Sequence, residues 1–323
     1  MRSHSCAGRS RPIPDVTPTT EPIYDMKTTV AVLGPGTVGG TFAVQFLNAD
    51  YRTLCVAPAA TVRLMAFSGI SLETNGSPPH VGRPEVTEHL STPVQLLLVT
   101  VKPDQLEDAL ERVDPAAVAE GVVLPLLNGL EHMDVIRERF PGRVAAGALS
   151  RFDAYRVGRM QIVQKSPMAL VTMASGELPQ EELERAGRIL ERAGIDTELE
   201  DDERRVLWRK AVRLAALAPA TVLSGRTVGE LRNDYEWRPR LEQAVAEACA
   251  IAAADGVNFM PSAQWTRITE MDADVTTSVA RDVQNGARAR EIDAITGAVV
   301  RAGERLGVPC PMLSELAARA AHV

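Results

Sequence analysis

The pattern of apolar positions divides the chain into a first part rich in strands and a second part made of helices. In the first part, short apolar runs alternate with segments that have the periodicity of helices, and the runs cover residues 28–33, 53–57, 94–101 and 122–127. Apolar runs of this length are typical of strands that are buried on both faces. Strands that alternate with helices predict an α/β domain with a doubly wound parallel sheet.

After Glu200 no segment has the pattern of a strand. Acidic residues at 201–203 favour the start of a long helix, and we expect that helix to end at Pro219 because a proline inside a helix removes a hydrogen bond. Further helices are predicted over about 227–255, 262–284 and 288–306. We therefore expect a sheet domain over residues 26–199, an all-helical domain over residues 200–323, and a cleft between them.

Composition and charge narrow the class of protein. Residues 1–25 are rich in proline, serine, threonine and arginine without periodicity, which predicts a disordered tail. The net charge of −7 argues against a nucleic-acid partner, which normally meets a basic face. No apolar run approaches the ~18–20 residues of a membrane span. The four cysteines lie far apart without the spacing of metal ligands, so we expect a cytoplasmic protein with reduced thiols and no metal.

A glycine-rich loop connects the first predicted strand to the first predicted helix. Its residues are Gly34, Pro35, Gly36, Thr37, Val38 and Gly39. In this motif the first glycine permits a tight turn, the second lets the backbone approach a pyrophosphate, and the third lets helix and strand pack closely. The helix N-terminus adds free N–H groups and a partial positive charge. The loop predicts a Rossmann-type domain that binds a nicotinamide dinucleotide.

The end of the second predicted strand bears on which dinucleotide is bound. A site for NAD usually has an acid there, which binds the ribose 2′-hydroxyl, but this strand ends in Val56, Ala57 and Pro58. The absence of an acid removes repulsion against a 2′-phosphate, and either Arg52 or Arg63 is a candidate to bind it. The other interpretation is that both arginines are ordinary surface residues. We predict NADP (NADPH) as the cofactor.

Several short segments together resemble the ketopantoate reductase (2-dehydropantoate 2-reductase) family. The resemblance extends from Lys27 to about Pro311, and its segments are 31–40, 101–103, 127–129, 208–210, 219–223, 278–282 and 290–293. It implies an NADPH-dependent reduction of a small carbonyl substrate, a 2-oxo acid, to a 2-hydroxy acid. The reaction that names the family makes pantoate, a precursor of coenzyme A in pantothenate biosynthesis.

The resemblance also implies roles for individual residues. Lys210 corresponds to the catalytic lysine that donates a proton to the substrate carbonyl, and its alternative interpretation is a surface lysine on a helix. A nearby ammonium stabilises and protonates the alkoxide that hydride transfer creates. The resemblance places further residues at the cofactor: Lys102, Asn128, Ala154 and Glu291. It places Asn128 and Ser278 at the substrate. An Asn-Gly turn and an exposed helix acid remain the alternatives for Asn128 and Glu291.

Two positions depart from the family's pattern. Asparagines that grip the substrate normally follow the catalytic lysine by four and eight residues, which keeps them on one helix face. Here those positions are Leu214 and Ala218. Since a hydrogen bond to a charged group contributes ~1.5–3 kcal/mol, this change puts the family's usual substrate in doubt.

Three hypotheses about function remain open from the sequence. The first is a reductase of a carbonyl compound that is larger or less polar than ketopantoate. The second is a true ketopantoate reductase that uses Ser278 and Arg213 instead of the asparagines. The third is a nucleotide-binding sensor, or an inactive paralogue, without turnover. A homodimer is also left open, because no heptad pattern or long apolar stripe requires one.

Overall fold

A parallel sheet and the helices around it build the first half of the protein. The computed structural model describes residues 28–323, so the predicted tail over residues 1–25 lies outside the described residues. The strands of the described residues are β1 (Thr29–Leu33), β2 (Arg52–Val56), β3 (Ile70–Thr74), β4 (His80–Gly82), β5 (Glu85–Thr87), β6 (Leu96–Val99), β7 (Val122–Pro125), β8 (Ala146–Ser150), β9 (Ala154–Gly158), β10 (Gln161–Gln164), β11 (Leu170–Ala174) and β12 (Asp196–Leu199).

Helices flank the sheet in the first half and make up all of the second half. The α-helices of the described residues are α1 (Thr37–Asn48), α2 (Ala59–Ser68), α3 (Leu106–Leu110), α4 (His132–Arg139), α5 (Gln180–Arg192), α6 (Glu203–Ser224), α7 (Val228–Asn233), α8 (Trp237–Ala254), α9 (Pro261–Thr269), α10 (Ser278–Gln284), α11 (Ala298–Leu306) and α12 (Pro311–Ala320). Two 3₁₀ turns cover Pro103–Gln105 and Pro115–Val118, and a π-helical turn covers Asp293–Gly297. No helix within residues 28–323 combines the length and apolar character that a membrane span requires.

The central sheet has the strand order β5-β2-β1-β6-β7, and every pair in it is parallel. Successive residues of β1 point to opposite faces: Val30 and Val32 join one apolar core, whereas Ala31 and Leu33 join another. Both faces of the strand are therefore buried, as its unbroken apolar run predicts. The predicted doubly wound α/β fold, followed by helices, is confirmed.

Two smaller sheets extend the first half beyond the prediction. One has the order β4-β3-β10-β9 and the other the order β12-β11-β8, and both mix parallel with antiparallel pairs. Three of their strands, β9, β10 and β12, carry many polar and exposed residues, so no continuous apolar run marks these strands in the sequence. In the described residues the last strand ends at Leu199, and only helices and turns follow it.

The long helix α6 continues past Pro219, so the predicted end at that residue is wrong. A proline cannot donate to the carbonyl four residues earlier, which here belongs to Ala215. Thr296 supplies the missing donor, since its hydroxyl donates to the Ala215 carbonyl at 3.0 Å. The helix ends five residues later at Ser224, where Gly225 takes a left-handed conformation with φ +68°. Tertiary contact has replaced the hydrogen bond that the proline removes.

Two other predicted helices are divided in the structure. The segment over 227–255 forms α7 and α8 with a break at 234–236, and the segment over 262–284 forms α9 and α10 with a turn at 270–277. At the first break the side chain of Asp234 accepts hydrogen bonds from the amides of Glu236 and Trp237, at 2.8 and 2.9 Å. An aspartate that accepts from the following amides competes with helical hydrogen bonding, which explains the interruption.

Candidate active site

The glycine-rich loop lies at the carboxyl end of β1 and opens α1. Gly34 has φ +87°, a conformation that side chains rarely adopt, and its carbonyl accepts from the Thr100 hydroxyl at 2.8 Å. A Cβ atom on Gly39 would collide with Thr100 and with the Gly34 carbonyl. A Cβ atom on Gly36 would meet nothing closer than 3.9 Å. The backbone at Gly36 thus faces open space beside the helix N-terminus, which fits a pyrophosphate group.

The two arginines proposed for the 2′-phosphate lie in different places. Arg52 is the first residue of β2, at the opposite end of the strand from the glycine loop, and it is paired with Glu85 at 2.8 Å. Cofactors of parallel sheets bind beyond the carboxyl ends of the strands, so Arg52 is wrong as a candidate. Arg63 is exposed on α2, the helix that follows the carboxyl end of β2. Arg63 therefore remains the candidate.

A cluster of charged and polar side chains joins the two halves of the chain next to this loop. Lys102 follows β6 and is paired with Glu291 and, at 2.8 Å, with Asp282 of α10. The other oxygen of Glu291 accepts from the Asn128 amide at 3.4 Å. Burial alone would lower the pKa of Lys102, but Glu291 and Asp282 outweigh it and raise the pKa. Glu291 is only 8% exposed, so it is not an ordinary surface acid.

Lys210 lies on α6 and faces this cluster. Within residues 28–323 its ammonium has no hydrogen bond or ion pair to another side chain, although the lysine is half-buried. Burial lowers its pKa to about 8, against an attraction by Glu291 that raises the pKa and a repulsion by Arg213 that lowers it. Its neighbour Trp208 is 2% exposed and donates to Asp255 at 2.7 Å, which fixes this part of the helix. A surface lysine would show neither this burial nor this pKa.

An apolar cavity of about 10 Å³ lies at the Lys210 side chain, with space for about one water molecule. It is lined by Leu127, Gly129, Gly147, Ala148, Leu207, Lys210, Ala211, Leu214 and Ile295. The lining joins the strand ends of the first half to α6 and to the π-helical turn of the second half. π-Helical turns are frequent at functional sites. A Cβ atom on Gly129 would collide with the Ala294 carbonyl, so the Asn-Gly turn fits closely against that turn.

The two positions that replace asparagines have different surroundings. Leu214 lines the cavity with Lys210. Ala218 is 0% exposed and packs in an apolar core with Val222 and Val279. Ala218 therefore does not line this cavity with Lys210, because α10 packs against α6 and covers this second turn of the helix face.

Ser278 and Ala154 lie close to the cleft without lining the cavity. Ser278 is exposed at the first turn of α10, whose side chain Arg281 is paired with Asp153 of the sheet half at 2.7 Å. Ala154 directly follows Asp153, is 8% exposed, and begins β9. The Arg281–Asp153 pair therefore brings α10 to the same edge of the first half as Ala154.

His132 is not among the site residues predicted from the sequence, but in the structure the charge of Lys210 acts on its imidazole. The imidazole is 5% exposed, and neither ring nitrogen has a hydrogen-bond partner within residues 28–323. Burial lowers the pKa of His132 to about 4, and the charge of Lys210 contributes to the same shift. The sequence signal available for it was its position, four residues after Asn128 and at the start of α4.

A phosphate-binding loop on a parallel sheet, with an unpaired lysine in the cleft against a helical half, defines a class: the dinucleotide-dependent oxidoreductases with a separate helical domain. The particular family follows from two matches to family models. Residues 30–177 match the model described as ketopantoate reductase PanE/ApbA, and residues 202–323 match the model of its C-terminal part. The chain belongs to the ketopantoate reductase family.

Curated relatives and solved structures agree with this assignment. The chain is 28% identical over 217 residues to a 2-dehydropantoate 2-reductase of Archaeoglobus fulgidus, covering 67% of this chain and 71% of that protein. It is 26% identical over 293 residues to that of Mycobacterium tuberculosis, covering 89% and 95%. A PanE/ApbA family ketopantoate reductase from Ralstonia eutropha has a TM-score of 0.81 at 25% identity, covering 91% and 97%.

The same fold occurs in a solved D-mandelate dehydrogenase, a ternary structure with NADH and anilino(oxo)acetate. Its TM-score is 0.82 at 20% identity, covering 91% of this chain and 97% of that chain. The predictions of the family, of the fold and of an NADP-dependent oxidoreductase are confirmed by these matches.

Proposed function

We propose that this protein reduces the carbonyl group of a 2-oxo acid with NADPH, and that Lys210 is the proton donor. The observation that carries this proposal is the half-buried Lys210, whose ammonium has no partner among the described residues and which lines a cavity between the sheet half and the helical half. A lysine in a cleft whose pKa is lowered by desolvation next to a charged partner is typical of a functional site.

Each part of the cleft has a role in this reaction. NADPH, when bound, supplies a hydride to the carbonyl carbon. The loop at 34–39 holds the pyrophosphate on backbone amides. Asn128 and Glu291, which are hydrogen-bonded to each other, lie at the junction of the halves. Lys210 stabilises the negative charge that develops on the carbonyl oxygen and transfers its proton there. A pKa of about 8 keeps most of the lysine protonated at neutral pH while making it a stronger acid than a surface lysine.

The lining of the cavity supports a 2-oxo acid with an apolar side chain. Leu214 stands where the family carries an amide, and Leu127, Leu207 and Ile295 are its neighbours in the lining. A polar side chain of the substrate would lose its water there without gaining a partner. The D-mandelate dehydrogenase of the same fold was solved with anilino(oxo)acetate, a ligand that carries an aromatic group. We therefore propose a substrate that is larger or less polar than ketopantoate.

The hypothesis that Ser278 and Arg213 replace the asparagines has less support. The guanidinium of Arg213 donates to the side-chain oxygen Oε1 of Gln264 at 2.6 Å, on the side of α6 that faces α9. Ser278 is exposed at the start of α10. Neither side chain lines the cavity with Lys210.

A panel of 2-oxo acids tests the proposal through NADPH consumption. The panel contains ketopantoate, pyruvate, 2-oxoisovalerate and phenylglyoxylate, each at a series of concentrations. We expect kcat/KM to be higher for 2-oxoisovalerate and phenylglyoxylate than for pyruvate and ketopantoate. Ketopantoate as the best substrate would overturn the apolar assignment. Tight NADPH binding by calorimetry without turnover of any acid would favour a sensor instead.

A further inference from the structure

Three consecutive residues of the π-helical turn contact three different parts of the protein. The Ala294 carbonyl lies against Gly129, where a Cβ atom would collide with it. Ile295 is buried and lines the cavity. Thr296 is also buried, and its hydroxyl donates to the Ala215 carbonyl of α6 at 3.0 Å. The turn therefore contacts both the Asn-Gly turn of the first half and α6, and the residue between these two contacts meets the cavity.

The carbonyl that Thr296 binds is available because of Pro219. In a regular helix this carbonyl would accept from the amide of residue 219, but proline has no amide proton. Ala215 is 0% exposed, so solvent cannot take the place of that amide. A buried acceptor without a partner is costly, so the hydroxyl of Thr296 has one favourable position. The bond attaches the π-helical turn to α6 one helical turn after Ala211, which lines the same cavity.

The other polar side-chain contacts of the π-helical turn lie at its start and are exposed. Asp293 is paired with Arg301 at 2.8 Å, and Arg301 is paired with Glu131 of the first half at 2.7 Å. All three side chains are at least 40% exposed, and exposed pairs contribute little. Among the contacts of this kind within residues 28–323, the bond of the Thr296 hydroxyl is the buried one.

We infer that Thr296 is a positioning residue: its hydroxyl, bound to the carbonyl that Pro219 leaves without an amide partner, fixes the π-helical turn so that Ile295 lines the cavity with Lys210. This inference rests on the proposed function, because the cavity is the proposed substrate site. The alternative is that the hydroxyl only satisfies a buried carbonyl and has no effect on the substrate. Both predict a loss of stability without the hydroxyl, but they differ once the carbonyl has another donor.

Two substitutions separate these roles. Thr296→Val keeps the shape of the side chain and removes the hydroxyl, which leaves the Ala215 carbonyl without a partner. Pro219→Ala restores the amide donor, so the double variant has a satisfied carbonyl but no bond between the π-helical turn and α6. Thr296→Ser retains the hydroxyl. The matched control is Thr53→Val, since Thr53 is buried near the end of β2 opposite the glycine loop and its hydroxyl donates to the Tyr51 carbonyl at 3.1 Å.

Steady-state kinetics with the best acid of the panel, together with urea unfolding, test the inference. We expect Thr296→Val to raise KM for the acid about tenfold with little change in kcat, because Ile295 moves while Lys210 does not. The unfolding constant should also rise about tenfold, because a buried acceptor loses its donor. Added to Pro219→Ala, the same change should affect the unfolding constant far less and still raise KM. Pro219→Ala, Thr296→Ser and Thr53→Val should retain the parent KM. A parent KM in the double variant would overturn the inference.

Hydrogen exchange of the segment 291–297, followed by mass spectrometry, measures the π-helical turn without turnover. We expect exchange about tenfold faster in Thr296→Val and in the double variant, and the parent rate in Pro219→Ala. The double variant keeps the test available if Thr296→Val alone does not fold. The parent rate in the double variant would show that the hydroxyl does not fix the turn, and the inference would fail. If every 2-oxo acid is inert but exchange is faster in the double variant, the proposed function fails and the attachment of the turn stands.

Discussion

At the scale of single residues, Lys210 is the proposed proton donor, and the partial burial that lowers its pKa also costs stability. We predict that Lys210→Met lowers turnover by about 10²–10⁴-fold, the usual contribution of a general acid, with little change in NADPH affinity. The phosphates are held by the loop of the other half, which the substitution does not touch. Lys165→Met, at an exposed lysine, is the control and should retain full turnover. Unchanged turnover in Lys210→Met would remove this residue from the reaction.

The titration of Lys210 predicts two pH dependences. Reduction needs the protonated lysine, so kcat/KM for the 2-oxo acid should fall as the pH rises through about 8. The folded pKa lies below the ordinary value of 10.5, so between about pH 8 and 10.5 the unfolded chain binds more protons. Stability against urea should therefore rise with pH across this window in the parent relative to Lys210→Met. A parent and variant with parallel stability curves would contradict the lowered pKa.

Leu214 and Ala218 separate a cavity position from a core position. Leu214→Asn places an amide in the lining beside Lys210. We predict that kcat/KM then rises for ketopantoate, whose polar groups gain a hydrogen-bond partner. It should fall for apolar 2-oxo acids, because the amide loses its water without gaining a partner. Ala218→Asn should instead destabilise the fold by about 1–3 kcal/mol, since the added atoms overpack a position that is 0% exposed. Steady-state kinetics and urea unfolding of both variants measure these effects. A specificity change caused by Ala218→Asn alone would contradict this division.

At the scale of elements, the turn between β1 and α1 separates binding from folding. Gly36→Val places its side chain in open space where the pyrophosphate fits, so NADPH binding should collapse while the melting temperature stays near that of the parent. Gly39→Ala should lower the melting temperature, because its Cβ atom collides with Thr100 and the Gly34 carbonyl. Calorimetry with NADPH and thermal unfolding distinguish the two variants. A Gly36→Val protein that binds NADPH normally would place the phosphates elsewhere.

The elements also show which parts of the fold can be predicted from sequence. The central strands and the glycine loop were predictable, because strands buried on both faces leave unbroken apolar runs. The two outer sheets were not, since strands such as β9 and β12 mix exposed and buried residues without such a run. The end of α6 was mispredicted because the donor that compensates Pro219 is Thr296, a residue 77 positions away in the sequence. Local patterns do not contain such contacts.

The candidate site was predictable to a similar, partial extent. The resemblance to the family drew attention to Lys102, Asn128, Lys210 and Glu291, and the structure brings these four together. It did not distinguish Leu214 in the cavity from Ala218 in the core, because both lie on one helix face and only the packing of α10 separates them. The effect of Lys210 on His132 was not predicted, because it depends on where α4 and α6 lie in the fold.

At the scale of the whole molecule, ion pairs connect the two halves along the cleft. Besides the pairs of Lys102, they include Arg281 with Asp153, Arg290 with Asp104, and Arg301 with Glu131. These pairs are largely exposed, so each contributes ~0–1 kcal/mol and is weakened by salt. The cavity of about 10 Å³ is too small for a 2-oxo acid. We therefore predict that the halves separate when a substrate enters, and weak contacts of this kind oppose such a movement little.

The reaction proposed for this cleft passes a hydride from the nicotinamide to the carbonyl carbon of a 2-oxo acid. The most direct measurement uses NADPH with deuterium at the transferred position of C4, the best acid of the panel, and mass spectrometry of the product. We predict a 2-hydroxy acid that carries one deuterium at C2, formed by the parent and almost absent with Lys210→Met. A product without deuterium, or no 2-hydroxy acid from a protein that binds NADPH, would contradict the claim.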